Sequence, residues 1–320
     1  MIPLSRIREA AGRIAGKVHR TPLLSATGIG RPFGARLSLK CENFQKTGSF
    51  KPRGALNKVL SLPPEERARG LVTVSAGNHA QALAWAARIA GAACTVVMPT
   101  GAPQSKIEAT RDYGAEIVLH DDRATLFDRL AEVRDARGLV FVHPFDDPEI
   151  MAGAGTTGLE ILEDLPDADV VLVPVGGGGI LGGIASAVKQ LHPKTKVVGV
   201  ELAEGPGLAP ALAVGKPVTV NRPWGTLADG MTPPFVGALP LEIAKEAVDE
   251  VVVVSEAGIV EAMKLLMTRA KLYVEGAGAA STAALLEGKV RFPSETKVVA
   301  LVSGGNVDLS RIGSGLHLPH

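Results

Sequence analysis

The chain has 320 residues, 46% hydrophobic and only 4% aromatic, enough apolar material for one large or two modest cores built from Val, Leu, Ile and Ala. Its 34 basic and 33 acidic residues leave a net charge of +1 with no basic stripe, which argues against a nucleic-acid partner. The two cysteines, Cys41 and Cys94, have neither metal-ligand nor redox-motif spacing; this excludes a disulfide-built secreted fold and reads as two small buried hydrophobes in a reducing compartment.

The amino-terminal "MIPLSRIREAAGRIAG" alternates apolar and basic residues at helical spacing and lacks the unbroken apolar run of a signal peptide. No later segment reaches membrane-spanning length without a charge or a Gly/Pro break, so a cytoplasmic protein is expected. In "ENFQKTGSFKPRGAL" (42–56), Pro52 suits the first helical position, where its missing N–H costs nothing. Lys51 then lies at or beside the N-cap, where the positive end of the helix dipole disfavours its charged form.

From residue 71 onward, short β-branched runs alternate with amphipathic segments. "LVTVS" (71–75) predicts a strand, followed by a helix over 79–90 that Gly91 stops. "CTVVMP" predicts the next strand, Pro103 starts a helix and Gly114 ends it. "EIVLH", a charged helix over 123–137 and "LVFVH" follow. Further strands are "DVVLVPV" (169–175), "KVVGVE" (196–201), "EVVVVS" (250–255) and "KVVALVS" (297–303). This alternation predicts parallel sheet with helices on both faces. One cluster of units lies within 71–143 and another after 165, so two α/β domains with a cleft between them are expected.

Three strand ends carry candidate chemistry. "VLVPVGGGGILGGIA" (171–185) runs from a strand through Gly176, Gly177, Gly178 and Gly179 into a helix, the form of a phosphate cradle. It lacks the P-loop lysine. A dinucleotide site stays open, with Glu201 the closest acidic partner. "VTVSAGNHAQALAWAA" (72–87) places Ser75, Asn78 and His79 where a strand leaves the sheet, and the N–H groups of that turn could grip a carboxylate. "ALVSGGNVD" (300–308) ends a strand in Ser303 and two glycines. A phosphate cradle, a carboxylate-sized turn and a lysine held toward its neutral form together suit pyridoxal phosphate.

The ordered set "KTGSFKPRGA", "SAGNHAQA", "PVGGGGILGG", "GTLADG", "VEGAGAAS" and "SGGN" spans nearly the whole chain. It resembles the fold-type II pyridoxal-phosphate enzymes, in particular the threonine dehydratase and serine racemase group. The resemblance implies a tryptophan synthase beta-like α/β fold with parallel-rich twisted sheets and the active site between two domains. Residues 1–52 and 144–320 would form the large one and 53–143 the small one. It implies that Lys51 binds the cofactor aldehyde and that Phe50 packs on the ring. Asn78 would hydrogen-bond the ring hydroxyl, Gly176 to Gly179 hold the phosphate, and Ser303 face the pyridine nitrogen. Gly230 and Glu275 lie on the cofactor side, and Ser75, Gly77, Asn78 and His79 receive the substrate carboxylate.

The implied reaction is dehydration and deamination of L-threonine or L-serine, or of another β-hydroxy amino acid such as 3-hydroxyaspartate or phenylserine. A homodimer of the short, catabolic type is expected. Racemases of the group carry a second serine where this chain has Ala76, whose methyl has no proton to exchange. Cation-binding relatives carry Glu followed six residues later by Asp. Here Glu201 is followed by Gly207, with Glu204 the nearest substitute; one carboxylate is a poor site for a hard cation, so no metal is expected.

Overall fold

Strands buried at every position need cover on both faces, and the runs "LVTV" and "VVLVP" are buried throughout. The computed structural model describes residues 1–122, 124–221, 225–309 and 311–312. Among the described residues, ten strands form two sheets. The larger, in the order β1-β2-β10-β7-β8-β9, consists of β1 Leu23–Ser25, β2 Ala35–Cys41, β7 Val170–Pro174, β8 Lys196–Leu202, β9 Glu250–Val254 and β10 Thr296–Val302. Only β1 runs antiparallel to its neighbour. The smaller sheet, β5-β4-β3-β6, is parallel throughout and comprises β3 Leu71–Val74, β4 Cys94–Pro99, β5 Glu116–His120 and β6 Val140–Phe141.

The alternating pattern of the sequence therefore yields parallel sheets with helical crossovers. β1 and β2 were outside it: β2 reads "ARLSLKC", with polar residues between its apolar ones, yet it lies inside the sheet beside β10. The expected strand at 139–143 shortens to Val140–Phe141. The expected helix over 123–137 is Leu126–Arg137, with position 123 outside the described residues. Gly91 ends the helix Asn78–Ala90 in the left-handed region, as expected. The thiols of Cys41 and Cys94 are free and buried, and burial pushes each up to about 12. Among the described residues no helix is long and apolar enough to cross a membrane.

Three helices set the cleft: Lys51–Ser61, Pro148–Asp164 and Gly179–Leu191. They pack at backbone distance because glycines face the contacts. A Cβ on Gly153 would stand 2.4 Å from the Arg53 carbonyl oxygen, and one on Gly183 would stand 2.5 Å from that of Met151. The same interface fixes the helix start that carries Lys51 relative to the helix start that follows the glycine run.

A buried ionic cluster holds the other side of the Lys51 helix. The Arg53 guanidinium is 1% exposed and donates to Glu42 (2.8 and 2.9 Å) and to Glu160 (2.7 and 2.9 Å). Lys40, on β2, donates to Glu160 and to the Thr21 carbonyl, both at 2.7 Å. Two cations thus meet two carboxylates, and Thr21 Oγ1 adds a bond to Glu42. Ions this deep persist only when every charge is paired.

Gly153→Val should lower stability by about 1–3 kcal/mol through overpacking, whereas Gly12→Ala, at an open helical position, should raise it by about 0.5–1 kcal/mol; thermal denaturation of both variants decides. Arg53→Met strands Glu42 without its guanidinium and should cost about 3–5 kcal/mol, visible as a lower denaturant midpoint.

Candidate active site

The three singled-out turns all lie at carboxyl ends of parallel strands, where α/β sheets bind ligands. Ser75 follows β3, the glycine run follows β7 and Ser303 follows β10. The Lys51 segment is stitched to the third of these: Phe50 N–H donates to the Ser303 carbonyl at 3.0 Å, and Ser49 forms an isolated bridge with Gly304. Lys51 is the first residue of its helix, with Pro52 second and Phe50 as N-cap, so the helix begins one residue earlier than the proline suggests.

The Lys51 Nζ donates to the Pro144 carbonyl at 2.8 Å and lies 5.2 Å from the centre of the Phe50 ring. No carboxylate among the described residues bonds it directly. Burial pushes its pKa down to about 8, and the charge of Glu275 acts the other way. Burial is thus the first cause of the neutral tendency that the sequence attributed to the helix start. Phe50, Lys51, His79, Pro144 and Gly179 line one cavity.

The glycine run is a cradle without side chains. A Cβ on Gly177 would fall 2.3 Å from the Phe145 ring, and one on Gly176 would fall 2.8 Å from the Gly230 carbonyl oxygen. Gly178 has φ of 89°, a conformation that costs a side-chain-bearing residue free energy. Gly237 N–H holds the loop through the Gly177 carbonyl at 3.1 Å. The N–H groups of Gly176, Gly177, Gly178, Gly179 and Ile180 donate to no acceptor among the described residues. Such a set of bare donors at a helix start fits a phosphate, and the neighbouring buried amine fits an aldehyde. The residues present therefore suit pyridoxal phosphate.

The second turn offers a similar set. Gly77 N–H is 3.2 Å from the Ser75 hydroxyl, and a Cβ on Gly77 would meet open space. The N–H groups of Asn78 and His79 donate to no acceptor among the described residues. The His79 ring itself is buried and turned toward the Val142 carbonyl at 3.4 Å, and burial followed by the charge of Lys51 holds it well below the usual histidine range. The ring is thus held near neutral beside Val142, and the free backbone N–H of His79 is the donor it can offer at the turn. Asn78 Nδ2 donates to Glu275 at 2.7 Å, and Asn78 Oδ1 accepts from Asn306 at 2.8 Å. Burial, reinforced by the charge of Asp229, pushes the Glu275 carboxyl up to about 8.

The sequence reading did not reach Pro144, Phe145, Asn306 or Lys106. Pro144 contributes a main-chain carbonyl, which leaves no signature in residue type. Asn306 stands in the quoted "SGGN" but shows its function only beside Asn78. Lys106 pairs with Asp229 at 2.5 Å, joining the small-sheet side to the segment next to Gly230. Glu201 accepts N–H bonds from Gly207, Leu208 and Ala209 at 2.7, 2.7 and 2.9 Å. Three donors converging on one carboxylate do not fit a cation there. Glu204 accepts a long bond from Glu256 N–H at 3.4 Å. No group of three or more candidate metal ligands occurs among the described residues.

Residues 14–304 match the family described as "Pyridoxal-phosphate dependent enzyme". The chain is 44% identical over 313 residues to the catabolic L-threonine dehydratase of Escherichia coli K12, covering 97% of this chain and 95% of that one. It is 46% identical over 317 residues to an L-threonine ammonia-lyase of Thermotoga maritima, covering 98% of this chain and 77% of the relative. Among solved structures, maize serine racemase superimposes with a TM-score of 0.92 at 38% identity, covering 98% of this chain and 96% of the other. The T.th. threonine deaminase gives 0.90 at 42% identity, covering 96% and 99%. With the family signature running through the lysine, the glycine cradle and all three strand ends, the chain belongs to the fold-type II pyridoxal-phosphate dependent enzymes.

Proposed function

We propose that this enzyme is an ammonia-lyase that removes the β-hydroxyl and the amine of L-threonine or L-serine, releasing 2-oxobutanoate or pyruvate with ammonia. The observation that carries the reading is the half-buried Lys51, whose amine is bonded to the Pro144 carbonyl and which shares a cavity with Gly179 and Ile180 at the end of the glycine run. The names of the relatives in E. coli and T. maritima support the substrate class. Pyridoxal phosphate, when bound, supplies an aldehyde for amine capture and a conjugated ring that acidifies the adjacent C–H.

The residues of the chain do the remainder. Gly176, Gly177, Gly178 and Gly179 would hold the phosphate, with Gly230 behind the first of them. Phe50 would pack on the ring, Asn78 would meet its hydroxyl, and Ser303 would stand at its nitrogen. A serine hydroxyl there cannot act as a carboxylate counterion. Ser75, Gly77, Asn78 and His79 would take the substrate carboxylate at the positive end of the Asn78 helix. Lys51 would accept the α-proton: an amine near pH 8 trades a proton at physiological pH far more readily than one at the ordinary 10.5. The division into residues 53–143 and residues 1–52 with 144–320 belongs to the same proposal, with the helix Lys51–Ser61 crossing its first boundary. So do a homodimer and a cytoplasmic location, the latter consistent with two free cysteines.

The likeness to maize serine racemase raises a second reading, racemisation of serine. That reaction needs a proton donor on the face opposite Lys51, and Ala76 offers a methyl group. Elimination is therefore the better-supported outcome.

Purified holoenzyme should convert L-threonine to 2-oxobutanoate and ammonia in equal amounts; no oxo acid from either threonine or serine would refute the assignment. With L-serine, chiral chromatography should show pyruvate accumulating faster than D-serine. In cofactor-free protein, acylation of Lys51 followed by peptide mapping should rise with pH through a midpoint near 8, because the neutral amine is the reactive form and dominates above that midpoint. A midpoint near that of an ordinary lysine would show that the amine is not buried.

A further inference from the structure

One chain of hydrogen bonds joins four of the sequence motifs. Asn306 Nδ2 donates to the Thr47 carbonyl at 2.7 Å and to Asn78 Oδ1 at 2.8 Å. Asn78 Nδ2 donates to Glu275 Oε1 at 2.7 Å. Thr47 belongs to "KTGSF", Asn306 to "SGGN", Asn78 to "SAGN" and Glu275 to "VEG".

The polarity of this chain is forced from its Thr47 end. A backbone carbonyl can only accept, so the Asn306 group facing Thr47 must be its NH2. Its other proton then points at Asn78, and the Asn78 atom facing it must be oxygen. The Asn78 NH2 is thereby turned to Glu275, whose oxygen accepts. An amide that could otherwise flip by half a turn has one orientation, with one N–H and one lone pair left over. The first anchor is itself held under strain: Thr47 has φ of 57°, in the left-handed region that a threonine adopts only when its surroundings impose it.

We propose that Glu275 is a positioning residue that acts through Asn78: together with Asn306 it locks the Asn78 amide so that one fixed N–H is presented to the cofactor. Glu275 is 2% exposed, and its Oε2 has no hydrogen-bond partner among the described residues. The groups bearing on it electrostatically are Asp229, beside Gly230, and Lys106, which pairs with Asp229; Lys51 senses its charge when it is ionised. Burial and Asp229 favour the neutral acid up to about pH 8. Oε1 is the oxygen that accepts the Asn78 N–H. Glutamine can supply the same acceptor; leucine cannot.

The inference rests on pyridoxal phosphate occupying the cleft, not on which amino acid is consumed, and its test needs no substrate. Absorbance spectra and cofactor affinity should be measured on holoenzyme carrying Glu275→Gln, Glu275→Leu and Asn306→Asp. Glu275→Gln should keep the wild-type absorbance maximum and an affinity within about threefold. Glu275→Leu should shift the maximum and weaken affinity by about 10- to 100-fold. Asn306→Asp removes the donor facing Asn78 and should reproduce the same shift, which keeps the test decisive if the leucine variant does not fold. Equal damage in the glutamine and leucine variants, or a wild-type spectrum in Asn306→Asp, would overturn the proposal. Wild-type holoenzyme that consumes neither threonine nor serine would refute the assigned substrate while leaving this comparison intact.

Discussion

The burial of one amine beside a carbonyl organises this enzyme. An ammonium group in a low-dielectric cleft needs a counter-charge or must shed its proton. Lys51 has the Pro144 carbonyl as its direct partner, and the buried carboxyl of Glu275 acts on it only at a distance and only when ionised. The fold thus favours an amine that can be either nucleophile or base. A carboxylate in hydrogen-bond contact would have fixed the proton and abolished that choice.

Keeping the amine there requires its helix to be immovable. On one side, backbone runs against backbone at Gly153 and Gly183, so the helix cannot shift without a collision. On the other, Arg53 reaches into a buried cluster shared with β2 and the helix Pro148–Asp164. The two constraints differ in kind. Steric contact sets the distance between helices, and the bidentate guanidinium sets rotation about the helix axis. Between them they register Lys51 against the bare N–H groups after β7.

The cleft gathers strand ends from both sheets, and polar contacts cross it. Asn78 meets Glu275 and Asn306, and Lys106 meets Asp229. Of the residues that would receive the substrate carboxylate, Asn78 is therefore bonded to the cofactor side.

Much of this was legible in the residues alone. The β-branched runs marked most of the strands because parallel strands, covered on both faces, must be apolar throughout. The glycine run, the "SAGN" turn and the lysine before Pro52 were readable because each requires a particular residue type to bare its N–H groups or its amine. β1 and β2 were not, since "ARLSLKC" carries polar residues whose cover comes from distant partners: Lys40 is buried only because Glu160 arrives from a helix more than a hundred residues away. Nor could sequence assign the carbonyl of Pro144, the inward turn of the His79 ring or the locked amide of Asn78. Local chemistry determined which groups this protein could offer. The tertiary structure alone decided which are dehydrated and which way they point, because burial and hydrogen-bond direction depend on neighbours that the chain brings together only on folding.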